Sequence, residues 1–90
     1  MKHYFRRHWD ETSGDELTNT WGSAIYYFET DEQLWVIRQV QIFEKGQVLK
    51  YSLDSIGDAF GALSDQQLEE QGFEDCIINE DEFNIIWDKF

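Results

Sequence analysis

Apolar residues alternate with residues of the opposite face over four stretches of the chain and recur at helical spacing over a fifth. In the first stretch, His3–Trp9, Phe5, Arg7 and Trp9 share one face and Tyr4, Arg6 and His8 the other, which fits a strand. The polar run Asp10–Asn19, with Gly14-Asp15 as its turn, reads as a loop. Ser23–Glu29 predicts a strand with Ala24, Tyr26 and Phe28 opposed to Ile25 and Tyr27. After the polar break Asp31-Glu32-Gln33, Leu34–Phe43 predicts the longest strand. Val36, Arg38, Val40 and Ile42 face one way, and Trp35, Ile37, Gln39, Gln41 and Phe43 the other. Glu44-Lys45-Gly46-Gln47 is a hairpin turn in which Gly46 supplies a positive φ. Val48–Leu53 returns with Leu49, Tyr51 and Leu53 on one side.

Periodicity fades from Asp54 to Gly72. Gly57 and Gly61 break any long helix, Ser64–Glu70 has room for a turn or two, and Phe60, Leu63 and Leu68 pin an otherwise irregular loop. Cys76-Ile77-Ile78 is a candidate short final strand. The end of the chain carries a sharper signal. Asn79 is an N-cap with Glu82 three residues later, Ile78 and Phe83 occupy the staple positions, and Glu80, Asp81 and Glu82 complement the helix dipole. Phe83, Ile86, Trp87 and Phe90 form one apolar stripe, while Ile85 falls opposite it and packs under a loop or meets a partner. Truncating Trp87 to Ala is expected to cost about 3–5 kcal/mol.

Short connections pair consecutive strands antiparallel. The expected fold is α+β: an antiparallel β-meander of four to five strands with a C-terminal α-helix packed on one face. Ninety residues make a single domain, 1–90. The aromatic content of 17% is enough to build its core. The edge strand His3–Trp9 can pair with another copy, so a monomer or weak dimer is expected.

Charge changes the picture. Residues 1–53 carry six basic and eight acidic side chains; residues 54–90 carry one basic residue, Lys89, and eleven acidic ones. The overall net charge is −12, and the second part alone supplies −10 of it. Such a surface repels nucleic acid and anionic membranes and favours a basic protein partner. The lone Cys76 allows no internal disulfide, Arg6 and Arg7 interrupt any signal-like apolar start, and no run reaches the 18 apolar residues of a membrane span. A cytoplasmic protein is expected.

Candidate chemistry is sparse. His3 and His8 are five residues apart and project to opposite faces of a strand, so no metal site is expected. Cys76 sits beside Asp75, whose charge disfavours a thiolate. Glycine-rich phosphate loops and nucleophile elbows are missing, so neither enzyme activity nor a cofactor is expected. Arg6-Arg7 among Tyr4, Phe5 and Trp9 resembles a nucleic-acid strand in miniature, but the two arginines oppose each other and the net charge opposes phosphate. The expected partner-binding set is acidic, Asp54, Asp58, Asp65, Glu69, Glu70, Glu74 and Asp75. Exposed aromatic anchors on an uncovered sheet face, Tyr27 and Trp35 with Tyr51 as a further candidate, complete it.

The order of segments Arg7-His8-Trp9-Asp10-Glu11, Gly14-Asp15-Glu16, Trp21-Gly22, Tyr27-Phe28-Glu29, Arg38-Gln39-Val40-Gln41-Ile42-Phe43, Gly46-Gln47-Val48-Leu49-Lys50-Tyr51, Gly61-Ala62-Leu63-Ser64-Asp65-Gln66 and Glu82-Phe83-Asn84-Ile85-Ile86-Trp87 spans nearly the whole chain. It resembles a group of small acidic bacterial proteins that includes immunity proteins of polymorphic toxin and contact-dependent growth-inhibition systems. The resemblance implies an α+β fold and an immunity protein that binds and neutralises a cognate toxin domain in the cytosol. Such toxins are often basic nucleases, whose clefts accept carboxylates in place of phosphates. These motifs are structural in character and assign no binding residue. Two other classes fit the same residues: a small ligand-binding or enzymatic α+β domain, and a regulatory protein-interaction module without a toxin partner.

Overall fold

The computed structural model describes residues 2–9, 21–58, 62–64, 67–68 and 76–90, with Trp9 described by its backbone. Four strands, β1 (His3–Trp9), β2 (Ala24–Thr30), β3 (Val36–Phe43) and β4 (Val48–Ser52), form one antiparallel sheet in the order β1-β2-β3-β4. A helix, α1 (Glu80–Lys89), packs on it. The fold is α+β, as the periodicities predict. The loop expected over Asp10–Asn19 lies outside the described residues, as does Phe60.

The start of α1 follows from its local chemistry. Asn79 sits in extended geometry and its Oδ1 accepts from the Glu82 amide at 2.8 Å. That bond satisfies one of the donors a helix leaves open at its start. Phe83, at the staple position, is fully buried, and Ile78 packs into the same cluster. The rest of the stripe is less buried than its spacing suggests: Ile86 and Trp87 are half-buried and Phe90 is exposed. Ile85 is exposed.

The helix-side core joins Tyr4, Tyr27, Val40 and Phe83, flanked by Ile25, Ile42, Val48, Ile86 and Trp87. Full burial of Val40 and Phe83 stabilises the fold by about 1.5–3 kcal/mol each. The opposite face is not the uncovered one that the sequence suggests. Phe5, Phe28 and Val36 pack with Leu34, Leu63 and Leu68, and Ala24, Phe43, Leu49 and Tyr51 pack with Trp21 and Leu63. Two layers therefore lie against the sheet, α1 on one side and the segment bearing Leu63 and Leu68 on the other. This is why the β2 run Ala24–Phe28 is apolar at every position.

Val36 departs from the expected alternation. Glu29 pairs with Arg38 but Thr30 pairs with Val36, so Ile37 is an extra residue opposite β2. The bulge turns Val36 toward Phe5 and Phe28, away from the Val40 side. Leu53 also departs. β4 ends at Ser52, whose amide and carbonyl exchange bonds with Ser55, and the turn lifts Leu53 out of the core. Cys76–Ile78 is an isolated bridge and not a full strand: Ile77 bridges Phe5, with Arg6 N donating to Cys76 O and Ile78 N to Tyr4 O. The outer edge of β1, expected to be open to a second copy, is covered at these positions. Among the described residues no helix is long and apolar enough to cross a membrane.

Candidate functional site

The sharpest surface feature grows from the β2–β3 turn. Asp31 organises it through three backbone contacts: its Oδ1 accepts from Gln33 N at 2.9 Å and Trp35 N at 3.0 Å, and its carbonyl accepts from Leu34 N at 3.1 Å. Leu34 takes φ +69°, a left-handed conformation uncommon for a branched side chain. Its side chain packs beside Phe5, Phe28 and Val36, and its carbonyl accepts from Leu68 N at 2.9 Å. Packing of the half-buried Leu34 holds the strained turn, and the turn presents Trp35, which is 44% exposed.

Trp35 forms one wall of an open groove of about 550 Å³. Val36, Ile37 and Leu63 line it, with Leu53 (67% exposed) and Ile56 (64% exposed) as further walls and Asp31 and Ser64 as its polar members. The segment 62–64 is fixed by Gln39, a buried residue whose Nε2 donates to Ala62 O at 3.2 Å and whose Oε1 accepts from Ser64 N at 2.9 Å. Gln67 continues the same layer: it bridges Trp35, and its side-chain amide donates to Gln33 O. Exposed carboxylates adjoin the lining residues along the chain: Glu32 next to Asp31, Asp54 next to Leu53, and Asp58 two residues after Ile56.

Of the residues expected to bind a partner, Trp35, Asp54 and Asp58 lie in this region and are exposed. Asp65, Glu69, Glu70, Glu74 and Asp75 lie outside the described residues. Tyr27 and Tyr51 are not exposed anchors, being 8% and 1% exposed. Tyr27 belongs to the core beneath α1, and its hydroxyl accepts from Arg6 Nε at 3.1 Å. Tyr51 lies under the layer that covers the other face, and its hydroxyl donates to Asp58 Oδ1 at 2.9 Å. Burial, then the bond to Asp58 and that carboxylate's charge, push the Tyr51 hydroxyl well above the usual tyrosine range. Asp58 thus has a structural bond as well as an exposed position. Sequence reasoning missed Ile37, Leu53, Ile56 and Asp31. The one local signal was Leu53 and Ile56 standing apolar among Asp54, Ser55 and Gly57.

A second polar arrangement lies beneath α1. Glu29, 2% exposed, receives Arg38 Nε at 2.6 Å and Nη2 at 2.7 Å, and Nη2 also donates to Asn84 Oδ1 at 3.0 Å. The guanidinium lies 4.9 Å from the ring centres of both Phe83 and Trp87. Lys50 Nζ donates to Trp87 O at 2.8 Å and lies 4.4 Å from that ring. Burial raises the Glu29 carboxyl, but the bonds from Arg38 and Tyr4 and the Arg38 charge outweigh it and hold it below the ordinary value. Burial first, then the bond to Glu29, push the Tyr4 hydroxyl up to about 12. The bonds from Arg38 to Glu29 and Asn84 and from Lys50 to Trp87 fasten α1 to the sheet.

Among the described residues, no group of three or more His, Cys, Asp or Glu side chains is placed to hold a metal ion. The molecule is thus a small α+β protein whose most distinctive surface is an apolar groove beside exposed carboxylates. No protein-family model, curated protein or solved structure matches the chain.

Proposed function

We propose that this chain is a cytoplasmic immunity protein, which binds a basic toxin domain, most simply a nuclease, and neutralises it stoichiometrically. One observation carries the reading: in a protein of net charge −12, Trp35, Leu53 and Ile56 are held in solvent around a single groove. Exposed apolar side chains gathered in one place mark interaction sites, and a half-exposed Trp on a rigid turn is a common anchor of binding energy. Asp31, Glu32, Asp54 and Asp58 give that anchor an acidic surround. The resemblance to bacterial immunity proteins points the same way.

Complementary charge speeds the encounter, to about 10⁸ M⁻¹s⁻¹ or more at low salt, and the buried apolar anchors then set slow release. Association falls with added salt as the exposed carboxylates are screened. The test is titration of the purified protein against the toxin domain encoded beside it. Toxin activity should vanish at one equivalent, and activity retained at saturating protein rejects the proposal.

A further inference from the structure

The groove has a chemistry more specific than an apolar patch in an acidic field. Asp31 Oδ1 is turned by two backbone donors, Gln33 N and Trp35 N, so the carboxylate is fixed without any side-chain cation. Its second oxygen has no partner among the described residues, and the residue lines the groove together with Trp35, Leu53 and Ile56. An occupant that was wholly apolar would leave that oxygen desolvated and unpaired, an unfavourable arrangement. An anion would be repelled, and a second copy of this chain would bring another net charge of −12. Of the donors that can pair that oxygen, a cation makes the stronger, charge-assisted bond and also suits the acidic surround, and an apolar stem behind it suits Leu53 and Ile56.

We propose that the groove receives an arginine side chain of the partner, its guanidinium on Asp31 and the face of Trp35 and its stem against Leu53 and Ile56. Arginine suits the site better than lysine because its planar, weakly hydrated head stacks on an indole and bonds a carboxylate at the same time. The backbone of the receptor is preorganised: Asp31 N donates to Trp35 O at 3.0 Å and Gln67 bridges Trp35, so both recognition residues are carried on fixed backbone before binding. The strained Leu34 lies between the two recognition residues, at the position that sets their relative placement. This inference rests on the proposal that the partner is a basic protein, and it names the partner's anchoring side chain.

The experiment follows the Trp35 indole N–H by NMR while the full chain is titrated with N-acetyl-arginine amide, N-acetyl-citrulline amide and N-acetyl-lysine amide. Citrulline keeps the shape of arginine without its charge. The expected result is a saturable shift with arginine and about tenfold weaker binding of citrulline and lysine. Asp31→Asn retains an Oδ1 acceptor for the turn but loses the charge, and it should bring arginine down to the citrulline level with the remaining amide spectrum unchanged. Equal binding of arginine and citrulline, equal binding of arginine and lysine, no saturable shift, or an Asp31→Asn protein that still prefers arginine would each overturn the inference. The toxin domain separates the two proposals. If it binds and D31N leaves its Kd within twofold, the arginine receptor is wrong and the immunity reading stands. If arginine binds as expected and the toxin domain does not, the receptor stands and the immunity reading falls.

Discussion

Replacing Arg38 by alanine should be among the most damaging single changes available under α1. Glu29 is nearly inaccessible and relies on two charge-assisted bonds of 2.6 and 2.7 Å from Arg38. Removing the guanidinium leaves a buried carboxylate whose remaining partner is the Tyr4 hydroxyl. Breaking one side of such a pair costs about 3–5 kcal/mol. The Arg38 side chain is a quarter exposed, so water can enter the vacated space, and the lower end applies. Loss of the guanidinium from Phe83 and Trp87 adds roughly 0.5–1 kcal/mol. The expected total of about 3–4 kcal/mol is a large part of the roughly 5–13 kcal/mol typical of a chain this size. Urea unfolding followed by tryptophan fluorescence measures it. The double variant Glu29→Leu with Arg38→Met, which removes both charges, should recover most of the loss and come within about 1 kcal/mol of wild type. Acid separates the proteins further. In the wild type the Glu29 carboxyl lies lower in the folded than in the unfolded state, so its stabilisation is present above about pH 4.3 and is lost as pH falls through the folded value. In R38A that carboxyl should lie above its unfolded value, so acidification from pH 7 toward 4 should narrow the deficit. A loss below 1 kcal/mol in R38A, or a double variant no more stable than R38A, would refute the reasoning.

Four other outcomes follow from the same geometry. Trp35→Ala should change unfolding free energy by no more than about 1 kcal/mol, because the ring is nearly half exposed, yet weaken toxin-domain binding at least about tenfold; calorimetry on the same sample reads both. Phe83→Ala should cost about 3–5 kcal/mol and Trp87→Ala less, the reverse of the order expected from side-chain size, since Phe83 is fully buried and Trp87 is half-buried. Gly22→Ala should destabilise by about 1–3 kcal/mol, because φ is +84° and the new Cβ would stand 2.5 Å from Glu44 Oε2; thermal unfolding checks it. Tyr4 should ionise near 12 when followed by absorbance at 295 nm, and because its folded value is raised, the stability it contributes is present below about pH 10 and lost as pH rises through 12; an ordinary titration of Tyr4 near 10 would contradict the network.

The chain's local signals fixed what depends on neighbours in sequence. Period-two alternation marks β1 to β4, Gly46 marks the β3–β4 turn with φ +98°, and Asn79 with Phe83 marks the start of α1. The exposure of Trp35, Asp54 and Asp58 agrees with the sequence reading, but for Trp35 the reason differs: it stands at the β2–β3 turn, ahead of β3, and not on an uncovered sheet face. Tertiary structure decided the rest. Alternation gives two faces but not what covers each, so Tyr27 and Tyr51 could be placed on a face and not recognised as buried. The bulge that turns Val36 depends on how β2 and β3 pair, and the release of Leu53 depends on a bond between Ser52 and Ser55. The groove joins residues from 31 to 64, and Glu29, Arg38 and Asn84 meet under a helix that is distant in sequence. A pattern of period two or 3.6 describes only one element at a time. Which elements meet is settled by what covers each face of the sheet, and the groove lies where the layer bearing Leu63 meets the β2–β3 turn and the end of β4.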